Sequence, residues 1–264
     1  DLTELLVKEF EDTIDLLGAN NIGGFFAEPI QASGGVIVPP DGYLRRIREV
    51  CKSHNILFVA DEVVTAFGRL GHWFASEDEF DMIPDIICSA KGLSSGYLPI
   101  GAMIYSNEVH EVISQSESGY FTSGFTYAGH PVSCAAALKN IEIMERENIL
   151  KNAHDVGLYF ENKLANLNDL PLVGNVRGKK MMMCVENVAN KETKELLPDD
   201  LNVGKLISNK AEELGLLVRP LGHLNVMSPS LTITVEDIDF IELNLKKAIM
   251  SVTDDLVRSG HKIS

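Results

Sequence analysis

The first half of this chain alternates strand-length runs of consecutive apolar residues with segments of helical period. "GGFFAEP" reads as a short buried strand ending at Glu28, and "ILFVADE" as one ending at Asp61 and Glu62. "DIICSA" runs up to Lys91, and "GAMIYS" follows. Between them, Leu6, Phe10, Ile14 and Leu17 recur at helical spacing over residues 2–18. Asp41 is placed to cap a helix over 41–54 that turns Leu44, Ile47, Val50 and Cys51 inward. "NEVHEVISQ" reads as a short helix, and Pro131 opens a long one reaching about Glu147. Unbroken apolar strands separated by helices predict an α/β fold: a mostly parallel sheet with helices on both faces.

From about residue 148 the pattern becomes α+β. Residues 153–168, 200–214 and 235–257 read as helices, and "MMMCVEN", "GLLVRP" and "NVMSPSLTIT" as strands. The expected organisation is a partial large domain over 1–147 and a small C-terminal domain over 148–264. The formal net charge of -15 disfavours nucleic acid and polybasic membrane anchoring as partners. Cys51, Cys88, Cys134 and Cys184 show no metal or disulfide spacing, which fits reduced thiols and a cytoplasmic setting.

In open α/β sheets, ligands bind outside the carboxyl ends of the strands. Glu28, Asp61 and Lys91 fall at three such ends, separated by 33 and 30 residues, about one strand-plus-helix unit each. A lysine and an acid on one rim suggest pyridoxal 5'-phosphate. The lysine forms a Schiff base with its aldehyde, and the carboxylate holds a proton on the pyridine nitrogen. A buried ion pair without cofactor is the structural alternative. HExxH and GxGxxG are absent, the seven histidines are scattered, and no catalytic metal is expected. "GNVRGKK" is one residue short of a P-loop, with Lys180 where Ser or Thr is needed. Trp73 is either a packing residue or a substrate contact.

Four stretches, "AEPIQASGGVIVPPDGYL", "LFVADEVVTAFGRLGHWFA", "PDIICSAKGLSSGYLPIGA" and "GFTYAGHPVSCAAAL", together resemble the class III pyridoxal-phosphate aminotransferases of fold type I. The resemblance implies roles residue by residue. Lys91 matches the Schiff-base lysine, and Asp61 the acid on the pyridine nitrogen. Val63 matches the residue packed under the ring, and Glu28 a glutamate of the active-site rim. Thr126, with Phe125 beside it, matches the threonine that reaches the cofactor phosphate of the other subunit in a homodimer with shared sites. Arg219 matches the arginine that binds a substrate carboxylate.

Two departures refine this. Ser33 stands where the ornithine and 4-aminobutyrate branch has a second glutamate, and Val64 where it has a glutamine. These features look more like the ω-amino acid:pyruvate group, implying a terminal amine as donor and a keto acid such as pyruvate as acceptor. Family members are also much longer at the N-terminus. The chain thus resembles the C-terminal part of the family, without the phosphate cradle, and by itself is expected to bind the cofactor poorly. Phospho-lyase or aminomutase chemistry on the same fold, or a catalytically incomplete fragment, are the alternatives.

Overall fold

The computed structural model describes residues 1–117 and 119–264. The chain forms two compact units. The first comprises 1–30, 39–68 and 72–148; the second comprises 31–38, 69–71 and 149–264.

In the first unit the elements run α1 (Leu2–Leu17), β1 (Gly24–Ala27), α2 (Tyr43–Ser53), β2 (Leu57–Asp61), α3 (Ala75–Asp78), β3 (Ile86–Ser89), β4 (Ala102–Tyr105), α4 (Asn107–Ser114) and α5 (Pro131–Arg146). The sheet order is β1-β2-β3-β4. The first three strands are parallel, and β4 returns antiparallel to β3. Asp1 caps α1 by accepting from Thr3 N, and Gly18 ends that helix at φ 78°. Val7 and Ile14 of α1 join Leu44 and Ile47 of α2 over Phe58 and Ala60 of β2. The alternate residues of the sheet face the other way. Val59 among them is buried, whereas Phe26 is 72% exposed.

Some local expectations change. Asp41 does not cap α2: that helix begins at Tyr43, behind Gly42 in the left-handed region. The Asp41 carbonyl instead accepts a bond from Thr3 Oγ1 at 3.0 Å. β1 is only half-buried. The strand read into "NVMSPSLTIT" stops at Met227, before Pro229, which has no N–H to give a ladder.

The second unit holds α6 (Ile149–Ala165), β5 (Val173–Lys179), β6 (Met182–Asn187), α7 (Val203–Glu213), β7 (Arg219–Leu221), β8 (Leu224–Met227) and α8 (Val235–Arg258). The sheet, in order β5-β6-β8-β7, is antiparallel throughout. β5 is the stretch that superficially resembles a P-loop. Gly178 within it has φ 135°, and a Cβ there would lie 2.1 Å from the Met182 carbonyl. That glycine is therefore required by the close approach of β6 to β5 rather than by a phosphate. α8 starts with a capping box between Thr234 and Asp237. Phe160, Leu164, Met183, Val185, Leu245 and Ile249 form the centre of this unit's core.

Phe160 is fully buried. Phe160→Ala is expected to cost about 3–5 kcal/mol, the range for aromatic truncation in a packed core. Urea unfolding followed by circular dichroism would measure it. A loss under about 1 kcal/mol would mean that this core relaxes around the gap.

Candidate active site

The register of β2 on β3 builds the site. Asp61 lies opposite Cys88, and Ala27 opposite Ala60. Glu28, Asp61 and the Ser89–Lys91 segment therefore leave three adjacent parallel strands at the same, carboxyl, rim. Neighbouring strands are about 4.8 Å apart. Asp85 pins this register from the other end. Its Oδ2 accepts from Phe58 N at 2.7 Å, and its Oδ1 from Arg48 Nη2 at 2.7 Å.

Lys91 opens a single 3-10 turn, Lys91–Leu93, directly after β3. Its φ of 34° lies in the left-handed region, where a side chain of this length is strained. The turn is held from two sides. Asn140 Nδ2, on α5, donates to the Gly92 carbonyl at 2.9 Å and to the Leu93 carbonyl at 3.1 Å. On the other side Gly92 packs on the 66–67 backbone: a Cβ there would lie 2.9 Å from Phe67 Cβ. Among the described residues, Lys91 Nζ makes no hydrogen bond and no ion pair. The strand-end cation is held in place by its backbone, and its amine is uncommitted.

The Asp61 carboxylate is half-buried and accepts from Val63 N at 3.0 Å. Burial, and after it the neighbouring Asp61, pushes the Cys88 thiol above its ordinary range. Glu62, the next residue, is fully buried. It accepts from Thr65 Oγ1 at 3.1 Å, Ala75 N at 2.7 Å, Ser76 N at 2.8 Å and Ser76 Oγ at 2.5 Å. The sequence reading passed over this network. The signal available was a second acid beside Asp61, with Thr65 three residues on.

Of the other residues, Val63 is half-buried directly after the two acids. Trp73 packs edge-on to Phe67, with centroids 6.1 Å apart. Phe125 and Thr126 stand on the exposed segment before α5, Phe125 at 89% exposure. Among the described residues neither side chain makes a hydrogen bond or ring contact. Arg219 belongs to the second unit, on β7. It shares a row across that sheet with Val226, Cys184 and Arg177. Arg177 is paired with Glu186. Arg219 is exposed, and its side chain forms no ion pair or hydrogen bond among the described residues.

An open α/β sheet with a lysine of uncommitted amine and an aspartate at the carboxyl ends of adjacent strands is an arrangement suited to carbonyl and amine chemistry. A model of the family "Aminotransferase class-III" matches residues 1–249, and the chain belongs to that family. It is 42% identical over 233 residues to the putrescine–pyruvate aminotransferase of Pseudomonas aeruginosa, covering 88% of this chain and 50% of that one. It is also 42% identical over 236 residues to mitochondrial gamma aminobutyrate transaminase 1 of Solanum lycopersicum, covering 89% and 46%. A solved (S)-enantioselective omega-transaminase from Thermomicrobium roseum superposes with a TM-score of 0.90 at 39% identity, covering 95% of this chain and 56% of that one. The chain thus spans about half the length of the curated relatives it matches.

The contact between Gly92 and Phe67 gives a direct check on the geometry. Gly92→Ala is expected to lower stability by about 1–3 kcal/mol, as overpacking does. Thermal unfolding of the full-length protein would read the loss. A neutral substitution would show that the Lys91 turn is not seated on residues 66–67.

Proposed function

We propose that the protein carrying this chain transfers an amino group from a terminal amine or ω-amino acid to a keto acid such as pyruvate, with pyridoxal 5'-phosphate as cofactor. The observation that carries the proposal is the uncommitted Lys91 amine one strand away from the Asp61 carboxylate, on the rim where α/β sheets bind ligands. The donor set fits the cofactor, because an aldehyde needs a primary amine without a competing ion pair, and a pyridine nitrogen needs a nearby carboxylate.

When bound, the cofactor supplies an aldehyde and a ring that delocalises the electrons of a deprotonated carbon. This chain supplies the groups around it. Lys91 would hold it through its amine, and that amine would take and return a proton at the amine-bearing carbon. Asp61 holds a proton on the ring nitrogen. Val63 would offer the ring an apolar contact, and Glu28 would stand at the neighbouring strand end. Arg219 binds the keto-acid carboxylate through its two-pronged guanidinium.

Putrescine and γ-aminobutyrate, named in the two relatives above, each carry a primary amine on a terminal carbon, which supports this donor class. Ser33 and Val64 support pyruvate as acceptor over a dicarboxylic keto acid. We place the site in a homodimer, with Phe125 and Thr126 reaching the partner's cofactor. The exposed aromatic segment around them, with Tyr120, Phe121 and Tyr127, has the character of an interface.

Two measurements test the reading in the full-length protein. Borohydride reduction in the presence of cofactor, followed by peptide mapping, should leave the pyridoxyl group on Lys91. Label elsewhere, or none, rejects the assignment. Arg219→Ala should weaken the half-reaction with pyruvate by roughly 2–4 kcal/mol, the scale of a lost charge-assisted pair. It should spare amines without a carboxylate. An equal loss for both substrates would remove Arg219 from the site.

A further inference from the structure

The mechanism above leaves one feature of the first unit unused. Glu62 is a buried carboxylate with no cation in ion-pair range among the described residues. Burying such a charge is costly unless several donors replace its water, and an apolar side chain would fill the space more cheaply. Four donors do replace the water. Two are the first backbone N–H groups of α3, Ala75 N and Ser76 N, and two are the hydroxyls of Thr65 and Ser76. The Glu62 backbone adds a bond from its own N–H to the Cys88 carbonyl at 2.8 Å and accepts one from Ala66 N at 3.1 Å. This one residue therefore joins the end of β2, the end of β3, the 63–67 turn and the start of α3.

The turn it closes carries Phe67, which is buried and also left-handed, at φ 53°. Phe67 is wedged edge-on against Phe74, with centroids 5.7 Å apart, and its N–H donates to the Trp73 carbonyl at 2.8 Å. Phe67 is the surface on which Gly92 rests. A strained residue persists only where its surroundings over-determine it. Lys91, at φ 34°, has two such supports: Asn140 from α5, and Phe67 from the loop that Glu62 ties down.

We propose that Glu62 is a positioning residue for Lys91. Through the 63–76 loop it presses Phe67 against Gly92 and so holds the Lys91 turn, and the amine it carries, at the rim beside Asp61. The catalytic part of this assignment rests on the reading of Lys91 given above; the positional part does not.

Glu62→Gln tests it. The amide keeps the volume, but its NH2 must face either Ala75 N–H or Ser76 N–H, so one buried donor at the start of α3 is orphaned whichever way the amide turns. Thr65→Val removes a single hydroxyl donor and gives a milder variant should Glu62→Gln fold poorly. Ile47→Val, in the α1–α2 core of the same unit, is the control for general destabilisation. Each is made in the full-length protein and read in two ways. The first is amide hydrogen exchange over residues 90–95 in protein stripped of cofactor. The second is borohydride trapping of added pyridoxal 5'-phosphate with peptide mapping.

The expected result is exchange over 90–95 about tenfold or more faster in Glu62→Gln, a smaller change of the same sign in Thr65→Val, and none in Ile47→Val beyond that of the whole unit. Labelling of Lys91, relative to the other lysines, should fall in the same order. Unchanged exchange over 90–95 in a folded Glu62→Gln, or an equal change in Ile47→Val, overturns the proposal. So does undiminished labelling of Lys91 in Glu62→Gln. Wild-type protein that never labels at Lys91, with exchange still following Glu62, rejects the aminotransferase assignment of Lys91 and leaves its positioning by Glu62 standing.

Discussion

The site depends on the register between β2 and β3. A shift of one residue would send every side chain of β2 to the opposite face. Asp61 would then lie among the residues under α1 and α2, where Phe58 and Ala60 now pack. Parallel strands connected by a long crossover have no tight turn to set their register. Asp85 supplies a local lock instead. Standing just before β3, its carboxylate accepts from the Phe58 N–H of β2 and pairs with Arg48 of α2. Its N–H also donates to the Phe58 carbonyl, and its own carbonyl accepts from Ser106 N beyond β4. One half-buried acid thus ties a helix to the amino ends of β2 and β3 and to the carboxyl end of β4. The polar residues at the carboxyl ends fall into line as a result.

Much of this was legible because apolar strand runs that stop at a charge are an unambiguous pattern. β2 and β3 were read within a residue or two, and the placement of Glu28, Asp61 and Lys91 at adjacent strand ends followed from them. β5 escaped because "VGNVRGK" has two glycines, two cations and half-buried positions, so it shows neither an apolar run nor clear alternation. Its membership of the sheet comes from pairing with β6 along six registered positions, a tertiary fact. The start of α2 was misplaced for a related reason. An aspartate before an apolar periodic segment is a sound capping signal, but here the left-handed Gly42 turns the chain first. The importance of Asp85 and of Glu62 was hidden because their partners are 27 and 14 residues away in sequence.

Lys91 shows how a cation is held at the end of an apolar strand. Its neighbours fix the backbone rather than the amine. Asn140 and Phe67 hold the Gly92–Leu93 carbonyls and the Gly92 Cα, and Ser94 Oγ donates to the Leu98 carbonyl at 2.6 Å to close the loop that follows. No carboxylate in the described residues claims the ammonium. An ion pair would bring some stability, but it would hold the amine in its charged form and keep it from acting as a nucleophile. Support through the backbone leaves that choice to whatever binds at the rim.

The adjacent acids Asp61 and Glu62 divide the two tasks that a carboxylate can perform. Each carboxylate offers about four acceptor positions. Glu62 uses its oxygens on four donors from its own unit, so it is spent on architecture. Asp61 accepts one hydrogen bond among the described residues, from Val63 N, and so retains capacity for an outside donor. The same chain direction that turns Glu62 inward turns Asp61 toward the rim, since successive residues at a strand end point to opposite sides. A hydrogen-bond donor arriving at the rim from outside meets an acid that is already desolvated in part and still short of donors. The carboxylate that could have competed for it is fully occupied one residue away.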